Sequence, residues 1–436
     1  MLFTGHNLPS AWALVDCNSF YCNCERLARP DLRNKPVAVL SNNDGCLIAL
    51  SNETKVLGYK MGDVYFLLER QLKRDKVTAF SSNYTLYGDV SQRIMSTIKT
   101  LVPVIDQYSI DETFVPLDNV LAIYAKEVGW AMHNRVQAWI GMPVRVGVGP
   151  TRTLAKLANL WAKRINRVYE LKLGTAELER ILEATPTVDI WGIGRRMSAK
   201  LYKYGITNAR QLRDVDLDFA KKILTIVGQR TVRELRGEQC IMDDTAPVPR
   251  KTLINSRSLG RGVTSKDDLM EALSMHCTIA AERLRQEHLE AAGLSIHILT
   301  GHYLENYFST SSAVKLIAPT NITDQFIKAA KIALNNCYKT GIKYMKSGIM
   351  LYDITNENAQ RQMSLLEAYV NIKDKRQRKL MKAMDKVNDK YGRDTLHYLA
   401  QGPVDARWHM TRRKMSGRIT TQWQELLKVN TLTTDN

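Results

Sequence analysis

Seven cysteines are scattered through the 436 residues. The number is odd, and none of them forms the paired C-x-x-C spacing of a zinc site. Cys22 and Cys24 bring two thiols close together, but without a second pair or a nearby histidine, so a reducing compartment is the simpler reading. No apolar run reaches membrane-spanning length and no cleavable leader is visible, which points to the cytoplasm. Gly147-x-Gly149 lacks the third glycine and the ribose-binding acid of a dinucleotide fingerprint, and that function is excluded. Acids are also in deficit, 44 against 62 lysines and arginines, for a net charge of +18. A chain this basic favours a polyanionic partner, nucleic acid first. The excess is densest over residues 361–436. The length predicts about three domains.

Among the acids that remain, Ser109-Ile110-Asp111-Glu112 stands out. It lies between Val104–Tyr108 and Thr113–Leu117, two short runs rich in β-branched and aromatic residues, so a hairpin with two carboxylates at its tip is expected. Such a tip reads either as a solvated turn or as a site for a hard divalent ion such as Mg²⁺. Trp12 to Asp16 is an apolar run that ends on a third acid. Helical spacing over Tyr84–Leu101 and about Val120–Ile140, with a strand at Val144–Val148, completes the order strand, helix, strand, strand, helix, strand. That order matches a ferredoxin-like sheet, which lays the first strand beside the hairpin and brings Asp16 to Asp111 and Glu112. Three converging carboxylates raise one another's pKa unless cations compensate them. A pair of divalent ions that clamps the attacking and leaving oxygens of phosphoryl transfer is the economical answer.

Between the first strand and the first of these helices lies a small mixed module with strands near Val37–Leu40, Cys46–Leu50 and Val77–Phe80. After Val148, Thr151 caps a helix on which Arg152, Lys156 and Lys163 form a basic stripe, opposite Leu154, Leu157, Ala158 and Trp161. The stripe is either a solvated face or a phosphate holder. Trp191-Gly192-Ile193-Gly194-Arg195-Arg196 sits between helices, where a tight turn can present backbone N–H groups to phosphate without reading bases. Two prolines mark a linker over 241–250. A second strand, helix, strand, strand, helix, strand series follows, without an acid pair in its hairpin. It reads as a binding platform, with Arg257 and Lys315 spaced to follow a nucleic-acid backbone across its sheet. The basic helix Lys373–Tyr391 and the Trp408 and Arg412–Lys414 region could meet nucleic acid or an acidic partner, or simply be solvated.

Asp16-Cys17-Asn18-Ser19-Phe20-Tyr21, Leu40-Ser41-Asn42-Asn43-Asp44-Gly45-Cys46, Ser81-Ser82-Asn83-Tyr84, Ser109-Ile110-Asp111-Glu112, Leu154-Ala155-Lys156-Leu157-Ala158-Asn159 and Asp189-Ile190-Trp191-Gly192-Ile193-Gly194 together resemble the Y-family translesion DNA polymerases, UmuC-like subgroup. The resemblance covers almost the whole length. It implies an α+β right hand: a ferredoxin-like palm (11–20 and 86–170), small fingers (21–85), a helical thumb with a helix-hairpin-helix (171–240) and a βαββαβ little finger (246–356), followed by a basic partner-binding region (361–436). The implied activity is error-prone, template-directed DNA synthesis past damaged bases, in the SOS response to DNA damage.

By the same resemblance Asp16, Asp111, Glu112 and the Cys17 carbonyl hold two Mg²⁺ ions, and Tyr21 is the sugar gate that collides with a ribose 2′-OH. Lys163 and Lys55 hold the incoming triphosphate, although many relatives carry arginine at the position of Lys55, so a point charge replaces a bidentate grip. Gly192, Gly194, Arg195, Arg257 and Lys315 contact primer-template DNA. Gln362-Met363-Ser364-Leu365-Leu366 resembles a sliding-clamp peptide without its usual aromatic anchor. A UmuD-like accessory dimer and a RecA filament are the further implied partners.

Overall fold

The computed structural model describes residues 9–426 apart from 28, 165–166, 242–249, 302–305, 360–364, 393, 404–405, 407, 418 and 421–422, and the side chains of 365–375 are likewise outside the description. The chain divides into two compact units. One comprises Met1–Ser41, Gly45–Thr245 and Lys414–Asn436, the other Asn42–Asp44 and Ala246–Arg413. The expected linker at 241–250 falls almost wholly outside the described residues.

The first unit opens with β1 (Ala11–Cys17) and α1 (Phe20–Leu27). A small module follows: β2 (Val37–Leu40), β3 (Leu47–Leu50), α2 (Asn52–Val56), α3 (Tyr65–Arg74) and β4 (Thr78–Ser81). Then come α4 (Tyr84–Lys99), β5 (Asp106–Gln107), β6 (Glu112–Leu117), α5 (Asn119–Ile123), α6 (Ala125–Ile140), β7 (Val144–Gly149), α7 (Arg152–Ala162) and β8 (Val168–Glu170). Helices α8 (Ala176–Ala184), α9 (Arg195–Tyr202), α10 (Ala209–Asp214) and α11 (Leu217–Leu235) complete it.

The large sheet has the order β5-β6-β1-β7-β8, and the module has its own three-stranded sheet, β3-β2-β4. β1 lies antiparallel between β6 and β7, buried on both faces, and its run Ala13–Val15 is almost wholly solvent-excluded. This is the ferredoxin-like arrangement with β8 added parallel to β7. The hairpin strand before the acids is shorter than expected, only Asp106–Gln107 instead of Val104–Tyr108. Gly147 explains the G-x-G pair: a Cβ there would lie 2.2 Å from the Asn159 nitrogen and 2.4 Å from the Ala155 oxygen, so the glycine lets α7 lie directly on β7.

The second unit contains β9 (Thr252–Val263), α12 (Lys266–Gln286), β10 (Leu289–Leu299), β11 (Ser309–Thr320), α13 (Thr323–Cys337), β12 (Tyr344–Asn356) and α14 (Leu365–Tyr391). The expected element order holds. Its strand order does not repeat the first sheet: β11-β10-β12-β9, antiparallel throughout, places the first strand at an edge. Sequence periodicity specifies which segments are strands, whereas pairing is settled by which apolar faces meet α12 and α13.

α14 begins at Leu365, eight residues before the expected start, and is pinned to the unit by charge. Arg285 holds Asp385 through two bonds of 2.6 and 2.7 Å, and Arg378 meets the buried Glu290 at 2.6 Å. Trp408, expected as a possible nucleic-acid contact, is buried, with its indole N–H donating to Glu271 at 2.9 Å. Among the described residues no helix is long and apolar enough to cross a membrane.

Candidate active site

The acids meet where β1 leaves the sheet. Asp16 on β1 is directly opposite Glu112 on β6, and the Cys17 N–H donates to the Asp111 carbonyl at 2.9 Å. Residues directly opposite in an antiparallel pair share one face of the sheet, so like charges there destabilise it unless compensated. The turn is preorganised by Ser109: its hydroxyl donates to Asp111 Oδ1 at 2.6 Å and accepts from the N–H groups of Asp111 (3.3 Å) and Glu112 (3.0 Å).

Compensation comes from α7. Lys156 Nζ lies 2.9 Å from Glu112 Oε2, and Lys163, at the helix C-cap, lies 3.5 Å from Asp16 Oδ2. Lys156 is held inside an aromatic cage, 4.3 Å from the ring centre of Tyr108, 5.2 Å from Trp191 and 5.8 Å from Phe114. Burial pushes the Asp16 carboxyl above the usual carboxylate range and Lys163 pulls it back, with Glu112 adding to the rise. Burial also drives the Cys17 thiol well above its ordinary value.

Arg152, expected on the same basic stripe, is not available to phosphate. It is 4 % exposed, pairs with Asp106 at 2.8 Å and lies 4.1 Å over the ring of Trp12. The stripe is not one wet face, because α7 is covered on both sides, with residues Arg152–Ala155 and Leu157–Asn159 all buried.

Asp16, Cys17, Tyr21, Lys55, Asp111 and Lys163 line one cleft of about 550 Å³, together with Ser19 and Arg145. Glu112 lines an adjoining hollow of about 220 Å³ with Asp16, Lys156, Lys163 and Trp191. Lys55 is exposed on α2. Tyr21 stacks on the buried Tyr87 with ring centres 4.5 Å apart and planes 18° apart. Arg145, register partner of Asp16 on β7, escaped sequence reasoning because it interrupts an apolar strand with a single charge. Lys156 was recognisable as basic, but its partner 44 residues away was not.

Among the described residues no three of His, Cys, Asp and Glu are gathered tightly enough to enclose an ion. Each carboxylate instead faces a lysine or a hydroxyl. The donor set, three carboxylates and a backbone carbonyl, is all oxygen and suits a hard divalent ion. The buried Ser19 Oγ on the cleft wall has no hydrogen-bond partner among the described residues, a polar surface lacking its complement.

The other expected contacts lie elsewhere. Gly192 adopts φ +86°, Gly194 caps α9, and Arg195 lines a surface hollow with Ser198 and Tyr202. Arg257 and Lys315 occupy the two edge strands of the second sheet and opposite faces of it. Arg257 borders the cavity against His276 of α12, whereas Lys315 is exposed between the core-packed Val314 and Leu316. A single backbone track across one face therefore does not join them. Gln362 and Met363 lie outside the described residues. Leu365 and Leu366 open α14, their side chains outside the description.

Residues 15–159 match the impB/mucB/samB family, 250–365 match the C-terminal domain of that family, and 378–429 match a domain of unknown function, DUF4113. The chain is 38% identical to protein UmuC of Salmonella typhimurium over 96% of its own length and all of that protein's. It is 36% identical to protein ImpB of the same organism, over 95% and 98% of the two chains. DNA polymerase IV 1 of Bacillus subtilis is 24% identical over 87% and 90%. Among solved structures, a Y-family DNA polymerase chimera of Dbh and Dpo4 superposes with a TM-score of 0.63 at 17% identity, covering 79% of this chain and 99% of that one.

Proposed function

The chain belongs to the impB/mucB/samB family, the UmuC-like branch of the Y-family DNA polymerases, and from that footing we propose that it copies DNA past damaged bases by two-metal-ion nucleotidyl transfer. The observation that carries the mechanism is the single cleft lined by Asp16, Asp111, Tyr21, Lys55 and Lys163. Residues 11–20 and 86–170 act as palm, 21–85 as fingers, 171–240 as thumb and 246–356 as little finger.

Asp16, Asp111, Glu112 and the Cys17 carbonyl would hold a pair of Mg²⁺ ions, which when bound lower the barrier to attack of the primer 3′-oxygen on the α-phosphate and neutralise the departing pyrophosphate. The chain's own groups prepare that step. Ser109 fixes Asp111, Lys163 and Lys55 receive the triphosphate, and the Tyr21 ring stands where a ribose 2′-OH would collide. The turn Gly192–Gly194, Arg195 and, on the outer face of the second sheet, Lys315 bear on the phosphate backbone of the primer-template, positioning it without reading sequence. A UmuD-like accessory dimer, a RecA filament and a sliding clamp, the last through Gln362, Met363, Leu365 and Leu366, complete a cytoplasmic SOS assembly.

The test is primer extension opposite an abasic template site with the full chain and its accessory subunits. Incorporation that requires Mg²⁺ and disappears in Asp111→Ala is the expected result. Extension by Asp111→Ala near the wild-type rate removes the metal assignment. Copurification of a small accessory dimer tests the partner reading.

A further inference from the structure

The C-terminal segment that follows the second unit returns to the first. The Ser81 N–H donates to the Lys414 carbonyl at 2.9 Å, and the Lys414 N–H donates to Ser81 Oγ at 2.9 Å, extending the edge of β4 by a main-chain contact. Asn83, which caps α4 by accepting from the Leu86 N–H, donates its amide to Ser416 Oγ at 3.0 Å. The Asn83 carbonyl in turn accepts the Tyr87 N–H at 3.0 Å, so the residue that meets Ser416 opens the turn of α4 that carries Tyr87. Ile419 packs against the core of the same unit.

Glu25 is 2 % exposed on α1, one turn beyond Tyr21. It also accepts from Tyr87 Oη at 2.6 Å, and the fully buried Tyr87 is the ring on which Tyr21 stacks at 4.5 Å. Tyr84, the residue after Asn83, stands edge-on to both rings at 6.1 Å. A continuous line of contacts therefore runs from the C-terminal segment to the ring in the cleft: Ser416 to Asn83, Asn83 to Tyr87 through the first turn of α4, Tyr87 to Tyr21.

We propose that Ser416, Glu25 and Tyr87 are positioning residues for the Tyr21 sugar gate, so that part of the DUF4113 region sets how strictly the enzyme rejects ribonucleotides. A gate discriminates by collision, and a ring free to tilt admits the extra hydroxyl. Stacking fixes the plane of Tyr21 only as firmly as Tyr87 is fixed. Tyr87 is anchored at its far end by a charge-assisted bond to Glu25. Burial raises the pKa of Glu25, and the hydroxyls of Tyr87 and Ser416 oppose that rise. Removing the Tyr87 hydroxyl leaves the buried Glu25 carboxyl short of a donor, and removing the Ser416 hydroxyl leaves the buried Asn83 amide short of an acceptor, each a loss of about one hydrogen bond. The inference rests on the gate reading of Tyr21.

The experiment measures single-nucleotide insertion by the full chain with its accessory subunits, taking the ratio of kcat/KM for each deoxynucleotide to that for its ribonucleotide. Tyr21→Ala collapses the ratio. Ser416→Ala and Tyr87→Phe, which keep the backbone contacts and the stacked ring respectively, lower it by roughly fivefold, one hydrogen bond's worth, while deoxynucleotide insertion stays within about twofold of the parent. Ser416→Thr, which retains the hydroxyl, restores it. A general loss of folding lowers both insertions together and leaves the ratio alone, so a fall in activity without a fall in ratio overturns the proposal. A parental ratio in Ser416→Ala and Tyr87→Phe beside a collapsed one in Tyr21→Ala also overturns it and leaves the gate standing. An unchanged ratio in Tyr21→Ala removes the gate itself, and the proposal with it.

Discussion

Lys156 sets a threshold that any cation must cross to reach Glu112. Its ammonium lies 2.9 Å from Oε2, and the two side chains are only 15% and 23% exposed. At that distance two unit charges attract by roughly 6 kcal/mol for an effective dielectric constant of about 20. Most of this is offset by the desolvation of both groups, and a charge-assisted hydrogen bond of this kind contributes about 2 kcal/mol net. Lys156→Met removes the competitor while keeping a side chain that fills the aromatic cage. The affinity of the carboxylates for Mn²⁺ then rises by roughly thirtyfold, the equivalent of about 2 kcal/mol. Electron paramagnetic resonance of free Mn²⁺ in titrations without DNA reads this directly, with Asp111→Ala as the control for the site. Primer extension slows in the same variant, because Glu112 loses the contact that orients it. Trp191→Ala, which opens one wall of the cage, moves Mn²⁺ affinity in the same direction by less. Equal or weaker Mn²⁺ binding by Lys156→Met refutes the argument that the lysine competes for Glu112.

Asp111→Ala lowers extension by on the order of a thousandfold while leaving DNA affinity within a few-fold of the parent, measured by single-turnover kinetics and a fluorescence binding assay. Asp385→Ala strips the half-buried Arg285 of its two-bond partner; the partly exposed setting limits the cost to about 2 kcal/mol, seen as faster proteolysis within α14. His276 is wholly buried, hydrogen-bonded to Asn255 at 2.7 Å and Ser347 at 3.2 Å, and its pKa is pushed down to about 3 by burial. The unfolded chain therefore binds a proton below pH about 6.5 that the folded one refuses, so stability present above that pH is lost as pH falls toward 3. Between pH 6.5 and pH 5 the loss from this group is about 2 kcal/mol. Thermal melts of the parent and His276→Gln at both values should differ by that slope.

The acids were legible because a strand that ends on aspartate and a hairpin that ends on two acids can meet in few ways once the helix between them is recognised. Lys163 was legible from its place on the same helix. Arg152 was not: a helical stripe tells which residues share a face, and only the packing of β1 and α11 around α7 decides whether that face is wet. The second sheet was legible in its elements and not in its order, since β9 pairs with β12, about ninety residues later, through apolar matching that no local signal encodes. The line from Ser416 to Tyr21 spans nearly the whole chain. Ser416 is an ordinary residue in an irregular stretch, and its importance follows only from the buried Asn83 amide that it meets.

The thiols bear on the conditions under which a damage-response enzyme operates. Cys17, next to Asp16 at the end of β1, is buried, and so are Cys22, Cys24, Cys277 and Cys337. Burial drives Cys17 and Cys24 far above the ordinary thiol range and lifts Cys22 to about 12. Oxidants attack the thiolate and not the thiol. Peroxide, itself a source of the lesions such an enzyme copies, therefore finds almost no reactive sulfur next to the carboxylates. Cys46, in the small three-stranded module, and Cys240, both half-buried, are left as the residues that oxidation and alkylating labels reach first.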